Sequence, residues 1–242
     1  MSRQVTLLGA RSDIALACAH EFAAAGDLVT LAARRAETLT ADARDIELRH
    51  GGTVTLREFD ALAPDHAEFV AGADLPDVVI CAVGLLGDQT SDERDAAAAS
   101  AVFRTNFEGP ALALAAYANA MEARGSGVIV GISSVAGDRG RATNYIYGSA
   151  KAGFTAYLSG LRNRLAKTGV HVVTVKPGFV ATQMTEHLDL PDKLTAQPAE
   201  IGRAVKTAVE RRKDVIYVRG VWRLIMGIIR AIPERVFKKL SI

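Results

Sequence analysis

The sequence predicts a single α/β domain, a doubly wound parallel sheet with helices on both faces, and three observations predict it. Short β-branched runs alternate with longer alanine-rich stretches along the whole chain, as in successive βαβ units. The runs Val78-Val-Ile80 and Val128-Ile-Val-Gly-Ile132 are apolar throughout rather than alternating, as strands covered on both faces are. The chain has 242 residues, 49% hydrophobic and 23% charged, enough to bury one large core without staples. A net charge of +2 gives no reason to expect a nucleic-acid partner. Two cysteines, Cys18 and Cys81, exclude a disulfide framework and a four-cysteine zinc site, and no metal is expected. They read as small buried hydrophobes in a reducing compartment. The start, MSRQVTLLGARSD, lacks the long apolar core of a signal peptide. No run reaches the ~18 apolar residues of a membrane span. A cytoplasmic location is the expectation.

The first strand, Val5–Gly9, feeds a helix at Asp13–Ala25 through the turn Gly9-Ala-Arg11-Ser12-Asp13-Ile14-Ala15. A strand-to-helix turn offers free N–H groups and the positive end of a helix dipole, which suit a pyrophosphate. The same turn reads equally as a plain connection capped by Ser12 or Asp13. The second strand, Leu28–Ala33, ends in Arg34-Arg35 before a helix at Ala36–His50. Arginines there suit a 2′-phosphate, so NADP(H) is the expected cofactor, and Arg11 adds a cation; a solvated pair at a helix start is the plainer reading. The third strand, Thr53–Phe59, delivers Asp60 to a position facing an adenine, followed by a helix at Pro64–Val70.

The fourth strand, Val78–Ala82, precedes a long helical pattern at Asp95–Ala123, and the fifth, Gly127–Ser133, runs into Ser134. Thirteen residues on, Tyr147-Gly-Ser-Ala-Lys151 opens a helix at Tyr145–Thr168. Tyr147 and Lys151 share one helix face. A nearby cation favours the phenolate, so the phenol is expected well below its usual ~10. With a hydroxyl from Ser134 holding a carbonyl oxygen, this is a general acid beside a hydride acceptor. In isolation the Tyr–Lys pair would read as an exposed helix pair; the strand-end serine changes that. The sixth and seventh strands, Val170–Val175 and Val215–Val218, flank a helix at Pro198–Arg211 and a long loop at Gly178–Gln197, a length often functional.

Ser134, Tyr147 and Lys151, with Asn106 in Arg104-Thr-Asn-Phe107, resemble the active-site tetrad of the short-chain dehydrogenases/reductases. The resemblance extends over nearly the whole chain, to Gly9, Asp60 and Lys176-Pro-Gly-Phe-Val-Ala-Thr182. It implies a seven-stranded Rossmann sheet, a tyrosine acid/base, a lysine tuning it and holding the nicotinamide ribose, and an asparagine holding a relay water. It also implies cofactor contacts from Gly9, Arg11, Ser12, Asp13, Ile14, Arg34, Arg35, Asp60, Ala61, Ala82, Gly84, Tyr147, Lys151, Pro177, Gly178, Val180 and Thr182. Two departures fall on the cofactor side. Asp13 and Ala15 replace glycines, with Asp13 expected to turn away from phosphates, and Cys81-Ala-Val-Gly84 stands where Asn-Asn-Ala-Gly is usual.

Within that family, Gly84-Leu-Leu-Gly-Asp88, Ser134-Val-Ala-Gly-Asp-Arg-Gly-Arg141, Tyr147-Gly-Ser-Ala-Lys-Ala-Gly153 and the ending Ile232-Pro-Glu-Arg-Val-Phe-Lys-Lys-Leu-Ser-Ile242 resemble the decaprenylphosphoryl-2-keto-erythro-pentose reductases, which reduce a keto-sugar on a polyprenyl phosphate. The competing expectations are reduction of a 3-oxoacyl thioester or steroid-type alcohol chemistry, and a dinucleotide-binding regulator without catalysis. Apolar faces on Asp95–Ala123 and Tyr145–Thr168 predict a homodimer or homotetramer.

Residues 219–242 carry six basic side chains against Glu234 alone, whereas the rest of the chain has 23 basic and 26 acidic residues. On a helical wheel Arg223, Gly227 and Arg230 form one stripe, and Val221, Trp222, Leu224, Ile225, Met226, Ile228 and Ile229 cover the remainder. The segment suits either a helix packed on the protein or across a dimer, or peripheral contact with a membrane surface.

Overall fold

The computed structural model describes residues 2–240. Seven strands form one sheet in the order β3-β2-β1-β4-β5-β6-β7, with every neighbouring pair parallel. They are β1 (Gln4–Leu8), β2 (Leu28–Ala33), β3 (Val54–Glu58), β4 (Val78–Cys81), β5 (Gly127–Ile132), β6 (Val170–Pro177) and β7 (Val215–Val218). The helices are α1 (Asp13–Ala23), α2 (Thr40–His50), α3 (His66–Ala71), α4 (Gln89–Asp92), α5 (Ala96–Phe103), α6 (Gly109–Arg124), α7 (Tyr145–Leu165), α8 (Pro198–Glu210), α9 (Val221–Ala231) and α10 (Glu234–Phe237). The order reverses between β1 and β4, which is where a doubly wound sheet opens its ligand crevice.

Strands that are apolar throughout feed two cores. Val78 and Ile80 of β4 pack with Phe22 of α1, Ile46 of α2 and Ile201 of α8. Val79 and Cys81 of the same strand pack with Tyr117 of α6 and Phe154 of α7 on the other face. Both cysteines are free and buried, and burial pushes the Cys18 thiol up to about 12 and Cys81 to about 11.

The structure differs from the predicted elements where side chains interrupt a helix. Residues 36–50 begin as a 3₁₀ turn, Ala36–Leu39, before α2, because Arg35 adopts a left-handed φ of 54° and Glu58 takes up the N–H groups of Arg35 and Ala36 at 2.9 Å each. The single helix expected over 95–123 is two helices joined by a π turn, Arg104–Glu108. There the Asn106 amide donates to the carbonyls of Val102 at 2.9 Å and Leu85 at 2.6 Å. Such bulges recur at functional sites. Helix α7 stops three residues earlier than the pattern predicts, and β6 runs on to Pro177. Short helical turns at Gln89–Asp92, Val135–Asp138 and Gln183–Thr185 carried no periodicity that sequence reading could find.

Candidate functional site

A cavity of about 860 Å³ opens at the carboxyl ends of the strands. Its lining includes Ser134, Tyr147, Lys151 and all the residues expected to hold a cofactor. Asn106 is the exception: it is fully buried behind the lining.

At the phosphate end, Gly9 has φ +80°, and a Cβ there would lie 2.8 Å from the Val83 backbone nitrogen. Only glycine lets β1 turn this close to the loop after β4. Neither Ser12 nor Asp13 caps α1 with its side chain, so the capped-turn reading does not hold. The Asp13 carboxylate instead accepts the Gln183 N–H at 2.8 Å, tying the start of α1 to the 178–197 segment. The uncapped N–H groups and the close glycine turn fit a dinucleotide pyrophosphate. At the end of β2, Arg34 and Arg35 are exposed along the cavity. The nearby carboxylate of Glu58 is held low by the backbone N–H groups of Ala36 and Arg35. Sequence reading missed Glu58, which shapes the turn that presents the two arginines. Asp60 binds the Leu62 N–H at 2.9 Å, and Gly109 admits the Ala61 carbonyl where a Cβ would lie 2.3 Å from its oxygen.

At the chemical end, Ser134 follows β5 and its Oγ accepts the Ala136 N–H at 3.1 Å, starting the 3₁₀ turn Val135–Asp138. That turn lies against α7: a Cβ on Gly137 would sit 2.7 Å from the Ala152 nitrogen. Ser133, also missed from sequence, donates to the Lys151 carbonyl at 3.1 Å and locks β5 to α7. Tyr147 and Lys151 therefore rise from a helix whose height over the sheet is fixed. Lys151 Nζ donates to the Ile132 carbonyl at 3.2 Å and lies 5.7 Å from the centre of the Tyr147 ring.

The electrostatics reverse one expectation. Burial pushes the Tyr147 phenol up to about 12, and a hydrogen bond from Ser134 pulls only partly the other way. Burial also brings the Lys151 ammonium down to about 8. Desolvation wins for both groups: the ammonium is itself buried and donates to the Ile132 carbonyl, and it does not offset the burial of the phenol. Asn106 accepts the Leu85 N–H at 3.2 Å as well as donating to its carbonyl. It fixes the backbone beside Gly84, where a Cβ would be 3.2 Å from Asn106 Oδ1 and 3.6 Å from Lys151 Nζ.

The roof of the cavity was the least legible part. The 178–197 segment lies under α9, and a Cβ on Gly178 would collide with the Trp222 ring. The Trp222 indole N–H donates to the Leu194 carbonyl at 3.1 Å, and Trp222 and Met226 pack on Val135. Arg219, one of the six basic residues of 219–242, is paired with Glu200 at 2.9 Å, which holds that carboxyl down to about 2. Arg139 donates to the carbonyls of Ile229 and Ile232 at 2.6 Å each, pairs with Glu234 and covers the Phe237 ring. Packing on the protein is thus correct for one face of α9. The other face, with Val221, Leu224 and Ile228, is exposed. Among the described residues no helix is long and apolar enough to cross a membrane, and no cluster of three potential metal ligands occurs.

A family model described as short chain dehydrogenase matches residues 3–193. An uncharacterized oxidoreductase of Mycobacterium tuberculosis is 37% identical over 241 residues, covering 98% of this chain and 96% of that protein. An uncharacterized oxidoreductase of Streptomyces coelicolor is 35% identical over 245 residues, covering 99% and 96%. A solved short-chain dehydrogenase from Sphingobium yanoikuyae, in complex with NADPH, superposes with a TM-score of 0.81 at 25% identity, covering 96% of this chain and 97% of that one.

Proposed function

The chain belongs to the short-chain dehydrogenase/reductase family, and on that premise we propose that it is an NADPH-dependent carbonyl reductase with Tyr147 as proton donor, Ser134 and Lys151 as its partners and Asn106 as the residue that fixes the backbone beside Gly84. One observation carries this reading: Ser134, Tyr147 and Lys151 converge on the same cavity that the Gly9 turn and the Arg34–Arg35 pair line. Bound NADPH supplies the hydride. Tyr147 keeps its proton at neutral pH, because burial holds the phenol near 12, and gives it to the carbonyl oxygen. Ser134 donates to the same oxygen and aligns it with the phenol. Lys151, brought down to about 8, exchanges a proton close to neutrality and returns one to the phenol. The preference for NADPH over NADH is assigned to Arg34 and Arg35, with Arg11 beside them.

For the substrate we favour a keto-sugar, carried on a polyprenyl phosphate, over a 3-oxoacyl thioester or a steroid. The resemblance of 84–88, 134–141 and the C-terminal segment supports it, as does the outer face of α9. There Val221, Leu224 and Ile228 stand exposed, and Arg223, Arg230, Arg235, Lys238 and Lys239 add exposed positive charge. An anionic membrane surface fits that face in both chemistry and sign. Exposed Phe103, Phe107, Leu112 and Tyr145 on α5, the π turn, α6 and α7 suit self-association into a dimer or tetramer.

The test is NADPH oxidation by the purified protein with keto-sugars, acyl thioesters and steroids, with Tyr147→Phe as control. Turnover confined to keto-sugars supports the reading, and thioester or steroid turnover replaces it. Binding of NADPH without turnover of any ketone favours the regulator. Co-sedimentation with anionic but not neutral vesicles, lost in Leu224→Glu/Ile228→Glu, tests the membrane face.

A further inference from the structure

The most enclosed ion pair among the described residues lies behind the cavity rather than in it. Lys176 Nζ donates to Asp138 Oδ1 at 2.5 Å, with the two side chains 10% and 2% exposed. The Tyr217 hydroxyl donates to the other carboxylate oxygen at 2.8 Å. The Lys176 ammonium also lies 5.4 Å from the centre of the Tyr217 ring. None of the three residues lines the cavity, so they reach a bound substrate only through other groups. Burying two charges is costly, and apolar side chains of similar volume are often as stable or more so. What a buried pair does better than apolar packing is to fix a direction and a distance.

The element it fixes carries the serine. Asp138 ends the 3₁₀ turn Val135–Asp138, which Ser134 begins. Ser134 is bound into that turn twice. Its Oγ accepts the Ala136 N–H at 3.1 Å, and its carbonyl accepts the Gly137 N–H at 3.2 Å. A shift of Asp138 therefore carries Ser134 with it. At the other end of the pair, Lys176 is the penultimate residue of β6 and stands in register with Tyr217 of β7. The close approach of Gly137 to α7 is a steric stop on the turn. The ion pair is its directional tie to the sheet.

We propose that Asp138, Lys176 and Tyr217 are positioning residues for Ser134: the buried pair ties the serine turn to the ends of β6 and β7 and so sets the place of the hydroxyl that aligns the carbonyl with Tyr147. This rests on the carbonyl-reductase reading of the site and adds to it three residues that never touch the reactants.

The experiment is a double-mutant cycle on kcat, with NADPH at saturation and the ketone that wild type turns over best. Tyr217→Phe removes one hydrogen bond and leaves the ion pair. Lys176→Gln/Asp138→Asn removes both charges together, so that neither is left buried alone. The first is expected to lower kcat severalfold and the second about tenfold or more, within the roughly 10²-fold that an ångström of misplacement can cost. Both losses should vanish in a Ser134→Ala background, because residues that act through one hydroxyl fall silent once it is gone. A role in folding alone gives the same factor in both backgrounds. Enzyme at high concentration keeps the slow Ser134→Ala reaction measurable. A second readout needs no turnover. In the ligand-free protein, amide exchange at Ala136 and Gly137 should be severalfold faster in Lys176→Gln/Asp138→Asn, while the amides of α6 keep their rates. If that variant does not fold, Tyr217→Phe carries both measurements. Unchanged kcat, losses that multiply with that of Ser134→Ala, or unchanged exchange at Ala136 and Gly137 each overturn the proposal. Absence of NADPH oxidation by wild type with every ketone removes the reductase reading instead, and the exchange rates then decide alone whether the pair holds the turn.

Discussion

The wall of the cavity made by β5 and α7 and the roof made by residues 178–197 and α9 are held in different ways. In the wall, the serines that follow β5 are paired locally and backbones touch. Ser133 binds the Lys151 carbonyl, and Gly137 lets the Ser134 turn press on α7. In the roof, a few long-range ties carry the load. Arg219 joins α8 and the 192–193 carbonyls to the start of α9, Arg139 grips its end, and Trp222 sits on Gly178. The wall fixes the height over the sheet of the helix that carries the proton donor. The roof touches the wall at Val135 and Arg139, and it is expected to act mainly on substrate binding while the wall acts on chemistry.

The largest expected effect breaks the wall without moving it. Tyr147→Phe keeps the ring and removes the transferable proton, so turnover should fall by roughly 10²–10⁴-fold while NADPH binding, followed by fluorescence titration, is retained. More than about a tenth of wild-type turnover would remove Tyr147 from its role. The roof should respond in the opposite way. Trp222 is 4% exposed, and Trp222→Ala leaves a cavity over Gly178 and Val135. A loss of about 3–5 kcal/mol in denaturant unfolding is expected. In the surviving folded enzyme KM for a ketone should rise more than kcat falls. Equal changes in both would mean that the roof also sets the wall.

This contrast explains what could be read from the sequence. The wall was legible because its chemistry is carried by residue types at fixed short spacings: Tyr147 and Lys151 one helical turn apart, and Ser134 at a strand end. The doubly wound sheet was legible because β4 and β5 are apolar on both faces and because strands alternate with helices along the chain. The roof was not. Arg219 and Glu200 are 19 residues apart and Arg139 and Ile229 are 90 apart, and no periodicity links them. Charge counting could not show that Arg219 is paired, and the apolar circumference of α9 hid which half faces inward. The phenol's pKa was misjudged for a related reason. Spacing placed a cation near Tyr147, but the balance between that cation and desolvation depends on burial, which only the fold supplies.

A smaller effect probes that balance. Burial brings Lys151 from 10.5 down to about 8, so the folded protein releases this proton at lower pH than the unfolded chain. Below about pH 8 both states hold the proton, and the folded state bears the full desolvation penalty. Between about pH 8 and 10.5 the unfolded chain binds more protons, so this group makes stability rise with pH. Cys18, Cys81 and Tyr147, all pushed up, act in the opposite direction from about pH 9 onward. The difference between wild type and Lys151→Met cancels those terms. Thermal unfolding of the pair should show Lys151→Met gaining at pH 7 and the gap closing by about 2–3 kcal/mol towards pH 10. A gap independent of pH would place the ammonium in water, and the wall would then be looser than its hydrogen bonds indicate.

The smallest effect lies at the far end of the cavity, where a fixed backbone meets free side chains. Glu58 sets the turn after β2 by taking the N–H groups of Arg35 and Ala36, and the guanidinium groups of Arg34 and Arg35 project from it exposed. Arg34→Ala/Arg35→Ala should therefore leave the turn and the stability intact. NADPH affinity should fall by about tenfold, since exposed charge-assisted contacts to a 2′-phosphate are weakened by solvent and salt. NADH affinity, which has no such phosphate, should change little. Glu58→Gln supplies the contrast: it weakens two backbone hydrogen bonds but leaves both cations, so any loss should appear with both cofactors alike. The measurement is the ratio of NADPH to NADH dissociation constants in each variant at low and high salt. A ratio lowered by Glu58→Gln as much as by the arginine pair would mean that discrimination lies in the shape of the turn rather than in its charges.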